Sequence, residues 1–139
     1  MSAVSIKDER LPGPLDGIRV LDFSMFLAGP YCTRLMADLG AEIIKVEPPG
    51  GDFLRNAPPY RNGQSAYFAH MNCGKKSIVL NLKGKKGRQA ILELIHTVDV
   101  VLENFRPGVM ARLGLDYPTL SALRPELVYC AISGYGQIG

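Results

Sequence analysis

Asn104, Phe105, Arg106 and Arg112 lie close together in the stretch "ENFRPGVMARLG", residues 103–114. An amide can hydrogen-bond a base edge, and an aromatic face can stack on a purine. Guanidinium groups pair with phosphate through parallel N–H donors. Together these side chains suit a phosphorylated nucleotide. They suit equally a strand-to-helix joint whose arginines face solvent, and residue types alone do not choose between the two.

Other patterns suggest phosphate chemistry and fail on context. The segment "GYGQIG" (residues 134–139) reads G-x-G-x-x-G, the fingerprint of a dinucleotide-binding turn when it follows a strand and opens a helix. Such a loop needs the free N–H groups of the helix behind it, and no helix or acidic residue follows here. A dinucleotide fold would place its glycines at the first strand–helix turn. That turn, "SMFLAGPYC", has one glycine followed by a proline. Glu47, at the end of the next strand, stands where a ribose-binding acid would, but without the turn it carries little. A Walker A reading of "CGKKS" also fails, because Ala69 stands where its first glycine belongs and Ser77 comes one place late. The terminal glycine pattern is either the coincidence of a glycine-rich end or part of a sequence that continues.

No nucleophile and base can be assembled. His70 and His96 have no Ser or Cys in a recognisable elbow and are expected to be structural or solvated. Asp22 falls at the C-terminal end of the first predicted strand, where open α/β sheets bind ligands. Its expected role is a cap or turn acceptor for the next helix. Cys32, Cys73 and Cys130 form no CxxC pair, and two histidines cannot complete a zinc ligand set. No metal is expected.

The net charge is +3, too mild to argue for nucleic acid. Its distribution says more: residues 75–112 hold eight Lys or Arg against three acids, a local +5. Such a patch fits an anionic small ligand, or a solvated helix face. The N-terminal "MSAVSIKDERLPGPLDG" has no apolar core of a signal peptide. No apolar run approaches the ~18 residues of a membrane span. The expectation is a cytoplasmic chain with no nucleic-acid or membrane partner.

The elements that must position these residues follow from periodicity. Strands are predicted at residues 18–23, 43–47, 78–82, 100–103 and 128–133. Between the first two, "GPYCTRLMADLG" reads as a helix with Cys32, Leu35, Met36 and Leu39 on its inward face. Residues 50–74 read as a surface excursion with a short helix near "SAYFAHMN". A helix over "GKKGRQAILELIHT" turns Ala90, Ile91, Leu94 and Ile95 inward, and two short helices follow, with Pro107 at the start of one and Asp116 capping the other. Strands alternating with helices predict an α/β fold with a mostly parallel sheet flanked by helices.

The chain resembles the N-terminal part of the class III CoA-transferases, from about Pro14 onward. Four blocks in order carry the likeness: "PLDGIRVLDFSMFLAGPYCTRLMADLGAEIIKVEPPGGD", "NCGKKSIVLNLKGKKG", "VDVVLENFRPGVMARLGL" and "LVYCAISGYGQIG". That family includes formyl-CoA, carnitine and succinate-dependent CoA-transferases and the relative alpha-methylacyl-CoA racemase. The resemblance implies a Rossmann-like large domain, of which residues 1–139 are the N-terminal portion, with residues 1–13 a flexible leader. It implies acyl-CoA and a carboxylic acid acceptor as substrates, no tightly bound cofactor, and a homodimer. CoA contacts carried over by position are Phe26, Leu27, Ala28, Leu80, Lys83, Asn104, Phe105, Arg112 and Leu113. Pro48 stands where some members have an arginine.

The family nucleophile, an aspartate that attacks the thioester, lies beyond Gly139. None of Asp22, Asp38, Asp52, Asp99 or Asp116 matches it. The second domain and the C-terminal return are likewise outside this stretch. The expectation is a fragment of a CoA-transferase with a partial CoA site, inactive by itself. The racemase branch, and a truncated remnant that only binds CoA or a partner, remain alternatives.

Overall fold

The computed structural model describes residues 12–138. Most of the expected leader, residues 1–11, lies outside the described residues. The strands are β1 (Arg19–Asp22), β2 (Glu42–Glu47), β3 (Tyr60–Arg61), β4 (Gln64–Ser65), β5 (Lys76–Val79), β6 (Val100–Glu103) and β7 (Val128–Ala131). The helices are α1 (Ala28–Asp38), α2 (Ala66–Asn72), α3 (Lys85–Leu94), α4 (Val109–Leu113) and α5 (Tyr117–Leu123). Five strands form one parallel sheet in the order β5-β2-β1-β6-β7, while β3 and β4 make a small antiparallel ribbon.

The strand order reverses between β1 and β6. The chain winds outward from β1 to β2 and β5, then returns to lay β6 on the other side of β1. Connections leave in opposite directions at that point, opening a crevice at the carboxyl ends of the strands. The carboxyl ends of β1 and β6 carry the turn at residues 24–28 and the start of the "NFRPG" segment.

Both sheet faces are covered, as a parallel sheet requires. Leu21, Phe23, Val46 and Val101 pack with Ile91, Ile95, Met110, Leu115 and Leu120 from the α3–α5 side. Val20, Ala41 and Ile43 pack with Met36 and Ala37 of α1 on the other. Ile91 and Ile95 are fully buried, as their spacing predicts.

Three local expectations need correction. The inward face predicted for α1 holds only in part: Met36 packs on the core and Cys32 is half-buried, but Leu35 and Leu39 are exposed while Gly29, Pro30 and Thr33 are buried. Small residues win because Gly29 lets the helix lie against Ser24 and Leu102, and the Thr33 hydroxyl reaches buried Asp22 at 2.6 Å. The third strand is Lys76–Val79 rather than 78–82. The apolar alternation runs on past the ladder because Leu80 and Leu82 pack on the core from a loop. Pro107 does not start α4; the helix begins at Val109 after left-handed Gly108. Asp116 does occupy the N-cap position of α5, but its carboxylate accepts from the Thr119 hydroxyl rather than from a backbone amide.

Candidate functional site

A cleft of about 390 Å³ opens at the carboxyl ends of β1, β2 and β5. Its walls are mainly apolar: Phe23, Val46, Leu80, Leu82, Phe105 and Leu113, with Lys83 at the edge. Sequence separation among these residues is large, and the parallel sheet brings them together because every strand ends on the same side. Leu80, Lys83, Phe105 and Leu113, all expected as contacts, meet here.

The cleft shares Leu82, Lys83 and Leu113 with a second opening of about 550 Å³, lined also by Lys85, Arg88 and Arg112. Four cations thus converge on one mouth. Lys85 begins α3, whose N-cap Gly84 makes no side-chain cap bond and whose first turn holds no acid. Cations at a helix N-terminus oppose its macrodipole. An anion placed among them would offset both the repulsion and the dipole.

The basic window of the sequence is not one surface. Lys75 is buried, its Nζ donating to Asp22 Oδ2 at 3.0 Å, Asn72 Oδ1 at 2.9 Å and the Pro30 carbonyl at 2.8 Å. Burial pulls its pKa down, opposed by the Asp22 charge and hydrogen bond. Lys76 pairs with Glu42 at 2.6 Å, at the amino ends of β5 and β2.

A third groove, about 460 Å³, runs across the switch point and is lined by Ala28, Asn104, Phe105, Arg106, Pro107 and residues 132–134. Phe105 borders both this groove and the apolar cleft. Asn104 points back at the β1–α1 turn: its Oδ1 accepts from the Met25 amide at 2.8 Å and its Nδ2 donates to the Met25 carbonyl at 2.7 Å. Phe26 and Leu27 are exposed on that turn and line none of the three openings. Phe26 packs on Phe53, ring centroids 5.6 Å apart.

Beneath the turn lies a buried ionic layer that the sequence reading did not assemble. Asp22 accepts from the Ser24 amide at 2.9 Å and from the Ser24 and Thr33 hydroxyls, so its expected role as a turn acceptor holds. Lys45, 1% exposed, donates to the Ser24 carbonyl at 2.7 Å. It also pairs with Asp52 at 2.8 Å, an ion pair without the alignment of a directed hydrogen bond. Burial alone would raise the Glu47 carboxyl. Hydrogen bonds from Arg55, Ser77 and the Asp52 amide, with the Arg55 charge, instead bring it down to about 2. Glu47 is thus a structural anion fixing the loop after β2. Arg55 in turn stacks over Phe68, 3.9 Å from the ring centroid.

Beyond β6, Glu103, Arg106, Asp116, Tyr117 and Tyr129 line a smaller opening of about 250 Å³. Burial raises the Glu103 carboxyl, against a hydrogen bond from the Phe105 amide. The two histidines are exposed and bond to arginines: Arg34 bonds the His70 ring and carbonyl, and Arg124 donates to the His96 carbonyl at 2.9 Å. Residues 134–138 are an exposed, irregular segment. Among the described residues no cluster of His, Cys, Asp and Glu could hold a metal, and no helix is long and apolar enough to cross a membrane.

Met25, Lys85 and Arg88 join the site without having been singled out, and Phe53 packs on the neighbouring turn through Phe26. The signal for Lys85 and Arg88 lay in "GKKGR", cations crowding a predicted helix start. Phe53 carried none, since its role depends on how residues 50–74 fold back over the turn.

The same architecture occurs in known proteins. The chain is 51% identical over 128 residues to an acetyl-CoA:oxalate CoA-transferase of Acetobacter aceti, covering 91% of this chain and 33% of that protein. It is 46% identical to a succinyl-CoA:glutarate CoA-transferase of Mus musculus, covering 91% and 29% respectively. A CAIB/BAIF family protein from Brucella suis superposes with a TM-score of 0.87 at 41% identity, over 93% of this chain and 35% of that one. A hypothetical protein from Mycobacterium tuberculosis gives 0.86 at 46% identity, over 91% and 35%. The chain therefore spans about a third of the length of the curated relatives it matches. With the family model for CoA-transferase family III matching residues 15–139, this chain belongs to that family.

Proposed function

We propose that the described residues form the nucleotide-binding part of an enzyme that moves CoA between carboxylic acids. One observation carries this reading: an apolar cleft edged by Phe105 opens directly into a mouth holding Lys83, Lys85, Arg88 and Arg112. An adenine ring is flat and apolar on both faces, and CoA bears a 3′-phosphate and a pyrophosphate. The cleft takes the base, and the cations pair with phosphate. The pantetheine arm then runs across the switch point past Phe105 and Ala28.

The chemistry needs a carboxylate beside the thioester. Asp22, Asp52 and Glu47 lie at this edge but are buried and engaged. The family resemblance assigns the nucleophile to an aspartate downstream of this stretch, in an intact enzyme that works as a cytoplasmic homodimer. Residues 1–139 alone are expected to show no exchange of CoA between succinate and an acyl-CoA donor. Turnover abolished by changing one of the aspartates within this chain would overturn that assignment.

Calorimetric titration of CoA against dephospho-CoA tests the binding. Arg112→Ala should weaken CoA several-fold more than dephospho-CoA, and rising salt should weaken both through screening. Equal losses for the two ligands would remove Arg112 from the 3′-phosphate. Absence of CoA binding would remove the site.

A further inference from the structure

The β1–α1 turn holds a residue in a costly conformation. Phe26 has φ +65°, a left-handed backbone that residues with a Cβ seldom adopt. Its ring is exposed and packs on Phe53. A strained residue persists where its surroundings over-determine it, and the two residues before Phe26 show what does so.

All four backbone polar groups of Ser24 and Met25 are held by side chains from three different strands or strand ends. The Ser24 amide donates to Asp22 of β1 at 2.9 Å, and the Ser24 carbonyl accepts from Lys45 of β2 at 2.7 Å. The Met25 amide and carbonyl are both taken by Asn104, directly after β6, at 2.8 and 2.7 Å. Lys45 is a buried ammonium balanced by buried Asp52, an arrangement that packed apolar residues could replace without loss of stability. What the ammonium does here is hold the Ser24 carbonyl. Asn104 spends one lone pair and one N–H on Met25, so half of its hydrogen-bonding capacity is directed at the protein.

We propose that Lys45 and Asn104 are positioning residues that clamp Ser24 and Met25 so that Phe26 stays left-handed and the turn keeps its ligand-binding shape. The inference rests on the reading of this edge as a CoA site. Asn104 then acts on CoA through Met25, besides lining the groove across the switch point. The clamp also links β2 and β6 across the switch point, so the two walls of the crevice are set by one turn.

The test separates backbone strain from loss of the ring. Asn104→Ala is made in the unaltered chain, in Phe26→Ala and in Phe26→Gly, and CoA dissociation constants and urea midpoints are measured for all. Alanine lacks the ring but keeps the strain; glycine enters φ > 0 freely. Loss of the clamp should weaken CoA about tenfold in the unaltered and Phe26→Ala chains, and less than threefold in Phe26→Gly. Phe26→Gly should also have a higher urea midpoint than Phe26→Ala while Asn104 is present, and no such advantage once it is removed. A Lys45→Met, Asp52→Leu pair, which removes both buried charges together, should weaken CoA in the same background-dependent way. Equal losses in all three backgrounds, or a glycine advantage indifferent to Asn104, would overturn the clamp. Absence of CoA binding with the urea pattern intact would overturn the CoA reading and leave the clamp standing.

Discussion

A Cβ placed on Gly29 would stand 2.2 Å from the Cβ of Ser24 and 2.6 Å from its Oγ. The first turn of α1 therefore lies directly on the end of β1, at a distance only glycine permits. In an ordinary helix, Gly→Ala is stabilising by roughly 0.5–1 kcal/mol. Here the sign should reverse. Gly29→Ala is expected to destabilise by about 1–3 kcal/mol through overpacking and to displace the Ser24–Met25 turn. Urea unfolding at neutral pH checks the sign; a stabilised variant would mean that the helix can move away freely.

Glu47 makes stability depend on acidity in a defined window. Its folded pKa, about 2, lies below its ordinary value of 4.5, so the folded state binds the proton less tightly than the unfolded one. The stabilisation is fully present above pH 4.5 and is lost as pH falls toward 2. Glu47→Gln should be less stable than the parent at pH 6, with the gap narrowing on acidification through that window. A gap independent of pH between 6 and 3 would show that the carboxylate's charge is not what matters.

Both edges of the sheet offer apolar side chains to solvent. Val79 on β5 and Val128 on β7 are each more than half exposed, and Tyr31, Leu35 and Leu39 extend along α1. Unpaired edges of this kind favour strand addition or stacking. Residues 1–139 should self-associate at micromolar concentration, and Val128→Lys should reduce it, as read by light scattering after size exclusion. A monodisperse monomer across that range would contradict this.

How much of this was legible in the sequence depends on the range of the interaction. The five strands appear as apolar runs because strand periodicity is local, and they hold to within a few residues. The inward face of α1 is legible only in Met36 and, partly, Cys32, because amphipathic spacing cannot register a glycine pressed on Ser24 or a threonine bonded to Asp22. Lys45 and Asp52 were invisible for a related reason. In "EIIKVE" a lysine reads as a solvent-facing residue, and its burial depends on a loop that folds back from residues 50–56. The site divides the same way. Leu80, Lys83, Phe105 and Leu113 were reached through motif resemblance and meet in one cleft. Asn104 was reached too, but its grip on Met25 arises between residues 79 positions apart, which no local pattern encodes.

Amide chemical-shift mapping of the isotope-labelled chain during a CoA titration tests the central claim most directly. Perturbations should concentrate on Leu80, Leu82, Lys83, Lys85, Arg88, Phe105, Arg112 and Leu113, extending to Ala28 as the pantetheine arm crosses the switch point. They should be small at the opposite edge, around Asp16, Gly17, Thr97 and Asp99. Shifts confined to that opposite edge, or none at millimolar CoA, would contradict the account.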